Sequence, residues 1–289
     1  MKNVSIDGFL VIDKPEGNSS AFIDHIIKRK FGANRVGHIG TLDPFATGVL
    51  AVAINAGTKA IPYIKQSKKI YEFEIMFGSK TDTADKTGKI IDSCGRIPTT
   101  EEIIQILPKF IGKIQQVPSI YSAIKINGKK SYELARNGEI PNIPERTVEI
   151  YNLEMVEEHK FKAEVSPGTY IRTLTEDIAK ALGTVAYTAS LRRIQDGKFS
   201  IKDGITIDKL DKIQDNISDI LITLENVLDD IPVILISCQD AENLIVGRCI
   251  RFSIDIENGI YLAKADNGFL EIIELLDGVI HPKKLLRYF

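Results

Sequence analysis

The chain has 289 residues, 44% hydrophobic and 26% charged, with a net charge of −2, the composition of a globular protein that buries one large core or a large and a small one. No apolar run reaches the length of a membrane span and the first residues lack the apolar stretch of a secretory signal. Three scattered cysteines, Cys94, Cys238 and Cys249, suit neither a disulfide framework nor a zinc site, so a reducing cytoplasm is the simplest home.

In chain order, residues 8–12 read as a short apolar strand ended by Asp13, Lys14, Pro15 and Gly17. Ser19 or Ser20 can cap a helix over 21–30, where Phe22, Ile26 and Ile27 share one face. Residues 49–54 read as a buried strand, and 71–77 alternate between polar and apolar as a half-buried strand does. Thr99 and the glutamates at 101 and 102 open a helix running to about Phe110. The segment 113–146 predicts a strand, a short helix and exposed loops. Residues 170–182 predict a helix stopped by Gly183. A further helix is expected near 216–228. After Pro232 the texture changes to short β runs, at 233–236, 248–252, 259–263 and 269–276, parted by turn signals such as Asn258-Gly259 and Asn267-Gly268.

Elements of both kinds alternate without a βαβ rhythm, which predicts an α+β fold with a mixed, mainly antiparallel sheet. A boundary is expected near 230, with a small β-barrel-like module beyond it. Charge divides along the chain as well. Residues 201–289 hold 9 basic against 16 acidic groups, and the remainder holds 28 against 23. The larger part can therefore offer a local positive surface, although charge alone does not identify a partner.

The stretch from Gly37 to Leu50, GHIGTLDPFATGVL, carries the most chemical information. Its glycines permit sharp turns and close approach, and Pro44 stiffens the chain directly after Asp43. That is a sound way to hold a carboxylate on a rigid loop leading into a buried strand, because positioning supplies much of a catalytic effect. A common Asp-Pro turn would look the same over a shorter stretch.

Those fourteen residues resemble the G-H-x-G-x-L-D-P-x-A-T-G motif of the TruB family of tRNA pseudouridine synthases. The resemblance continues in family order. Residues 13–20, DKPEGNSS, resemble D-K-P-x-G-x-T-S with serine at 19. Lys69-Ile70-Tyr71 and the block 78–85, GSKTDTAD, resemble K-x-Y and G-x-x-T-D-T-x-D. Residues 116–125, QVPSIYSAIK, resemble Q-x-P-x-x-x-S-A-x-K. Residues 168–174, GTYIRTL, and Leu191-Arg192-Arg193 complete the set. One departure is visible: Val165-Ser166-Pro167 stands where many members show Cys-Ser-Lys, which removes a possible phosphate contact.

The resemblance implies that uridine at position 55 of the tRNA T-loop is isomerised to pseudouridine. No cofactor is required, because the reaction has neither net redox change nor group transfer. By the same resemblance Asp43 attacks the nucleotide covalently, Arg172 orients it, and Tyr71 stacks on the uracil. His38 fills the gap left by the everted base, Asp85 bonds a neighbouring base, and Tyr170 and Leu191 line the uracil pocket. From residue type alone, Tyr71, Tyr170 and Leu191 read as core, Arg172 as a surface arginine, His38 as a loop residue and Asp85 as a turn or cap. Lys14, in the opening block, is carried as an RNA contact. Lys125, Lys129, Lys130 and Arg136, with Arg146 and interleaved Tyr121 and Tyr132, read as a solvated face on charge alone; the resemblance makes 113–146 an RNA-gripping insertion. Residues 28–30 and Arg35 add further cationic candidates near the Asp43 loop. The tail beyond 230 resembles the family's PUA-like module weakly. It is expected to serve tRNA binding more than folding. The protein is expected to act as a monomer without a partner protein, and no metal site is expected. The rival readings are a synthase for a different RNA, an idle RNA-binding protein on the same scaffold, and a glycoside hydrolase, which would need a second acid.

Overall fold

A computed structural model of the chain describes residues 6–288 except 123, 127, 132–133, 135–138, 140, 214–216 and 253–255. The first half contains β1 (Gly8–Lys14), α1 (Ser20–Phe31), β2 (Val36–Ile39), β3 (Thr47–Ile54), α2 (Gly57–Ala60), β4 (Lys69–Phe77), β5 (Ser79–Thr81), β6 (Ile90–Ser93), α3 (Thr100–Ile106) and β7 (Gly112–Gln116). Next come β8 (Lys125–Ile126), β9 (Lys129–Lys130), β10 (Arg146–Glu157), β11 (Lys160–Val165), α4 (Ile171–Ala181), β12 (Ala186–Asp196), β13 (Phe199–Ser200), α5 (Ile207–Lys212) and α6 (Leu224–Val227). The chain closes with β14 (Val233–Leu235), α7 (Cys238–Ile245), β15 (Ile250–Arg251), β16 (Gly259–Lys264), β17 (Leu270–Leu276) and β18 (Val279–Arg287).

Local signals account for the helices that position the site. Ser19 caps α1 by accepting the Phe22 N–H at 3.1 Å, and Gly32, left-handed at φ 59°, ends it. Thr99 and Glu102 close a full capping box on α3, which runs into a single 3₁₀ turn at Leu107–Phe110. Helix α4 buries Ile171, Leu174 and Ile178 against the sheet.

The α+β expectation holds. Among the described residues one sheet runs β1-β3-β12-β4-β11-β10-β7, with β2 on β3 and β13 on β12. Every pairing in it is antiparallel except β3 with β12, which touch in parallel at only two positions, Thr47 with Arg192 and Gly48 with Arg193. This seam fixes the site. The Asp43 loop enters β3 there, and a Cβ on Gly48 (φ 96°) would lie 2.1 Å from the Arg193 carbonyl, so only glycine lets the two strands meet.

One expectation fails and one strand goes without a local signal, each for a physical reason. The helix near 216–228 does not form. Among the described residues that stretch is a 3₁₀ turn at Ile217–Asp219 and the four-residue α6 capped by Thr223. Between them Ile222 exchanges backbone hydrogen bonds of 2.9 and 2.8 Å with Phe9, covering the free edge of β1. Strand β12 was not foreseen, because register shifts at 188–190 and 193–195 break its alternation and Arg193 is fully buried within it.

The last five strands form a second sheet in the order β14-β16-β17-β18-β15. Its inner face does not close on itself. Leu262, Leu270, Ile272 and Leu286 share one core with Phe9, Val11, Val49, Ala51 and Phe199 of the first sheet. Deleting residues 231–289 would expose that core, including β3, which carries the Asp43 loop. The expected result is loss of soluble protein rather than selective loss of tRNA binding, measured by soluble yield and by protease resistance of the truncated chain. A folded, active truncate would show the modules to be independent.

Candidate active site

Asp43 lies on the loop between β2 and β3, and the loop is held from three directions. The Ser20 hydroxyl accepts the Leu42 N–H at 2.9 Å and donates to the Leu42 carbonyl at 3.0 Å. Arg193 donates to the Gly40 carbonyl at 2.6 Å and to the Val49 carbonyl at 2.8 Å. Lys14 donates to the carbonyls of Pro15 (2.9 Å), Asn18 (2.7 Å) and Pro44 (3.1 Å). Leu42, Phe45 and Ala46 are buried to either side, while the Asp43 side chain keeps 33% of its exposure. A carboxylate between buried anchors loses little conformational freedom when it reacts.

Two strands and one helix end bring the other groups to it. On β4, Lys69 and Tyr71 point to the same face; on β12, Leu191 and Arg193 do so, with Arg193 opposite Tyr71 in register. Arg172, in the first turn of α4, is buried and lies with Nε 2.9 Å from Asp43 Oδ2. The N–H points off the line to that oxygen, so the contact is an ion pair and not a well-aligned hydrogen bond. The same guanidinium donates to the carbonyls of Thr83 (2.8 Å) and Tyr121 (3.0 Å) and stands 3.7 Å from Asp85 Oδ2. Asp43, Lys69, Tyr71, Tyr170, Arg172, Leu191 and Arg193 all line one cleft of about 330 Å³. That is the small end of ligand pockets and suits one flat ring better than a helix.

The electrostatics follow from burial. Desolvation lifts the Asp43 pKa above the usual carboxylate value; Arg172 opposes the rise, Asp85 adds to it and Lys14 again opposes it. Tyr71 is also pushed up, chiefly by burial, with Arg193 pulling the other way. Its phenol is therefore protonated at neutral pH. Burial lowers Lys69, against the attraction of Asp196.

Lys14 needs correction. It is fully buried with all three donors on carbonyls, and burial lowers its pKa to about 8 against the pull of Asp43 and Glu16. It buttresses the Asp43 loop from behind and faces no RNA. Asp85 is held by its own loop. It is buried, and its Oδ1 accepts from the Thr83 hydroxyl (2.9 Å), the Thr87 N–H (2.9 Å) and the Thr87 hydroxyl (2.5 Å). It acts as the second carboxylate on Arg172. His38 sits half-buried on β2 with Nδ1 2.7 Å from Asp24 Oδ2 and Nε2 3.1 Å from the Thr41 hydroxyl. It does not line the cleft, whereas Thr41 does. Lys129 is exposed on the β8–β9 hairpin. The side chains of Lys125 and Lys130, and all of Tyr132 and Arg136, lie outside the described residues. Lys30 donates to the Asp211 carbonyl at 3.0 Å.

The buried group behind the cleft was given no role on sequence grounds. Lys69 and Arg193 share Asp196, the Arg193 contact being 3.4 Å, and a Cβ on Gly40 (φ 63°) would lie within 3.0 Å of all three side chains. Lys69 and Arg193 belong to motif blocks, and each lies two residues from a recognised site residue on the same strand face; that parity is the signal that finds them. Among the described residues no three His, Cys, Asp or Glu side chains gather as a metal site, and no helix is long and apolar enough to cross a membrane.

Comparison with known proteins places this cleft in context. Residues 28–171 match the model for the TruB family pseudouridylate synthase N-terminal domain, and 172–231 the tRNA pseudouridylate synthase B C-terminal domain. The chain is 38% identical to tRNA pseudouridine synthase B of Gluconacetobacter diazotrophicus, over 97% of each protein. It is 33% identical to the protein of that name from Aquifex aeolicus, over 97% of this chain and all of that one. Among solved structures, a chain of an H/ACA RNP bound to a substrate RNA containing 2'-deoxyuridine aligns with TM-score 0.69 at 21% identity, covering 99% of this chain and 86% of that one. A Cbf5-Nop10-Gar1 complex gives TM-score 0.69 at 22% identity over 98% and 85%. Those two likenesses speak to the fold.

Proposed function

This chain belongs to the TruB family of pseudouridine synthases, and from that premise we propose that it converts uridine to pseudouridine in tRNA, at position 55 of the T-loop. The observation that carries the reading is the partly open Asp43 carboxylate, paired at 2.9 Å with a buried arginine in a cleft lined by Tyr71, Tyr170 and Leu191.

A uridine in a folded loop reaches such a cleft only by leaving its stack. Its uracil then lies against Tyr71, with Leu191 and Tyr170 beside it. The Asp43 carboxylate attacks a carbon of the nucleotide, the N1–C1′ bond breaks, the base turns, C5 bonds to C1′, and the bond to Asp43 breaks to free the carboxylate. The proton lost from C5 balances the one gained at N1, so no cofactor enters. Arg172 holds the carboxylate in place and offsets its desolvation. His38, tied to the Asp43 loop through Thr41, is the group set to fill the gap in the loop stack. Lys129, with its neighbours on the β8–β9 hairpin, grips the RNA from the 113–146 segment. The tail sheet serves as a PUA-like module, and the enzyme works as a single chain in the cytoplasm.

A glycosidase would need a second acid free to protonate a leaving group. The fold does bring Asp85 near Asp43, but its contacts to Thr83, Thr87 and Arg172 occupy it. An idle binding scaffold would have no use for a half-open carboxylate held this firmly. The test is incubation with unmodified tRNA transcript and site-resolved mapping of the product. Pseudouridine at position 55 is the expected result. Modification elsewhere would reassign the substrate, and none at all would overturn the activity.

A further inference from the structure

We propose that Arg146 receives a phosphate flanking the everted uridine at the mouth of the cleft; this rests on the RNA substrate argued above. Four cations line that cleft, and three have carboxylate partners: Lys69 and Arg193 on Asp196, and Arg172 between Asp43 and Asp85. Arg146 has none among the described residues. Its guanidinium lies 4.5 Å from the centroid of the Tyr170 ring, and it donates to the Gly168 carbonyl. Its Nε is covered and has no acceptor among the described residues.

The cation is not needed to hold the turn it touches. Gln116, its cross-strand partner, already fixes Tyr170 by accepting the Tyr170 N–H at 3.1 Å and donating to the Tyr170 carbonyl at 3.3 Å. Ser166 and Thr169 close the rest of the turn on themselves, and Pro167 adds no charge. What remains is an unbalanced charge on an aromatic face beside the pocket. Uracil is neutral and cannot answer it; the phosphates on either side of the flipped nucleotide can. A planar guanidinium can stack on a ring and offer paired donors to a phosphate at once, which an ammonium cannot.

The test is the salt dependence of tRNA affinity for the wild type, Arg146→Ala and Arg146→Lys, with product mapping of the wild type alongside. Removing one phosphate contact should lower the slope of log affinity against log salt by about 0.7 to 0.9, while Arg146→Lys keeps the slope. The wild type on tRNA carrying an uncharged methylphosphonate at one of the two flanking phosphates should show the same reduced slope. On that substrate Arg146→Ala should lose nothing further. A wild-type slope in Arg146→Ala, or slope losses that add at both flanking positions, would overturn the assignment. If the wild type forms no pseudouridine in tRNA, the functional reading itself fails. If it does while the slope ignores Arg146, only this inference fails.

Discussion

Replacing Asp43 with asparagine is expected to abolish pseudouridine formation, to leave tRNA binding within a few fold and not to lower the melting temperature. Asparagine keeps the shape of the side chain and an oxygen for Arg172, but it supplies no anionic nucleophile. Loss of a covalent nucleophile costs about 10⁴-fold or more in turnover. Stability follows from the sign of the pKa shift. Burial raises Asp43 above its unfolded value, so ionising it at neutral pH opposes folding, and a neutral isostere removes that opposition. Arg172 keeps its bonds to the Thr83 and Tyr121 carbonyls and its contact with Asp85. The same shift predicts the acid limb of kcat/KM in the wild type. The carboxylate is the active form, so activity falls as pH drops through a value above the ordinary 3.8 of an aspartate. Single-turnover assays, a tRNA binding curve and a melt settle these points together. Residual turnover in Asp43→Asn would remove Asp43 as nucleophile. An acid limb at or below 3.8 would mean that Arg172 outweighs burial.

What the sequence made legible follows the reach of each signal. Strands β1, β3 and β4 and the caps at Ser19 and Thr99 are local: a few residues state the alternation or supply the hydroxyl. Asp43 was legible because Gly40, Pro44 and Gly48 constrain the chain next to it. Arg172 was not, since an arginine on a helix is usually solvated; only the resemblance pointed inward, and burial against two carboxylates and two carbonyls is a property of the assembled fold. Lys14 shows the opposite case: an RNA contact by its motif position, it is fully buried with its donors on the carbonyls of Pro15, Asn18 and Pro44, as a buried polar group requires. The texture of the sequence changes near 230, and the second sheet begins at Val233. Nothing local could reveal that Leu262 and Leu270 complete the core beneath Phe9 and Val49.

Replacing Arg172 with methionine is expected to remove activity and to destabilise the protein by roughly 3–5 kcal/mol, the cost of breaking a buried ion pair from one side. Methionine fills similar volume, so the loss is electrostatic. Asp43 and Asp85 are left without the cation that lies between them, and the Thr83 and Tyr121 carbonyls lose their donors. Arg172→Lys keeps the charge but not the fork. One ammonium cannot reach acceptors spread around the different edges of the guanidinium, so it should lie between wild type and methionine in stability and still turn over about 10²-fold slower. The decisive variant is the double change Arg172→Met with Asp43→Asn. Neutralising one carboxylate relieves the repulsion created by the first substitution, so the double variant should melt higher than Arg172→Met alone while remaining inactive. The coupling is read from chemical denaturation of all four proteins. Effects that simply add, within about 0.5 kcal/mol, would show that Arg172 and Asp43 act independently. The 2.9 Å approach would then be a passive contact, and the orientation of Asp43 would rest on Ser20, Lys14 and Arg193 alone.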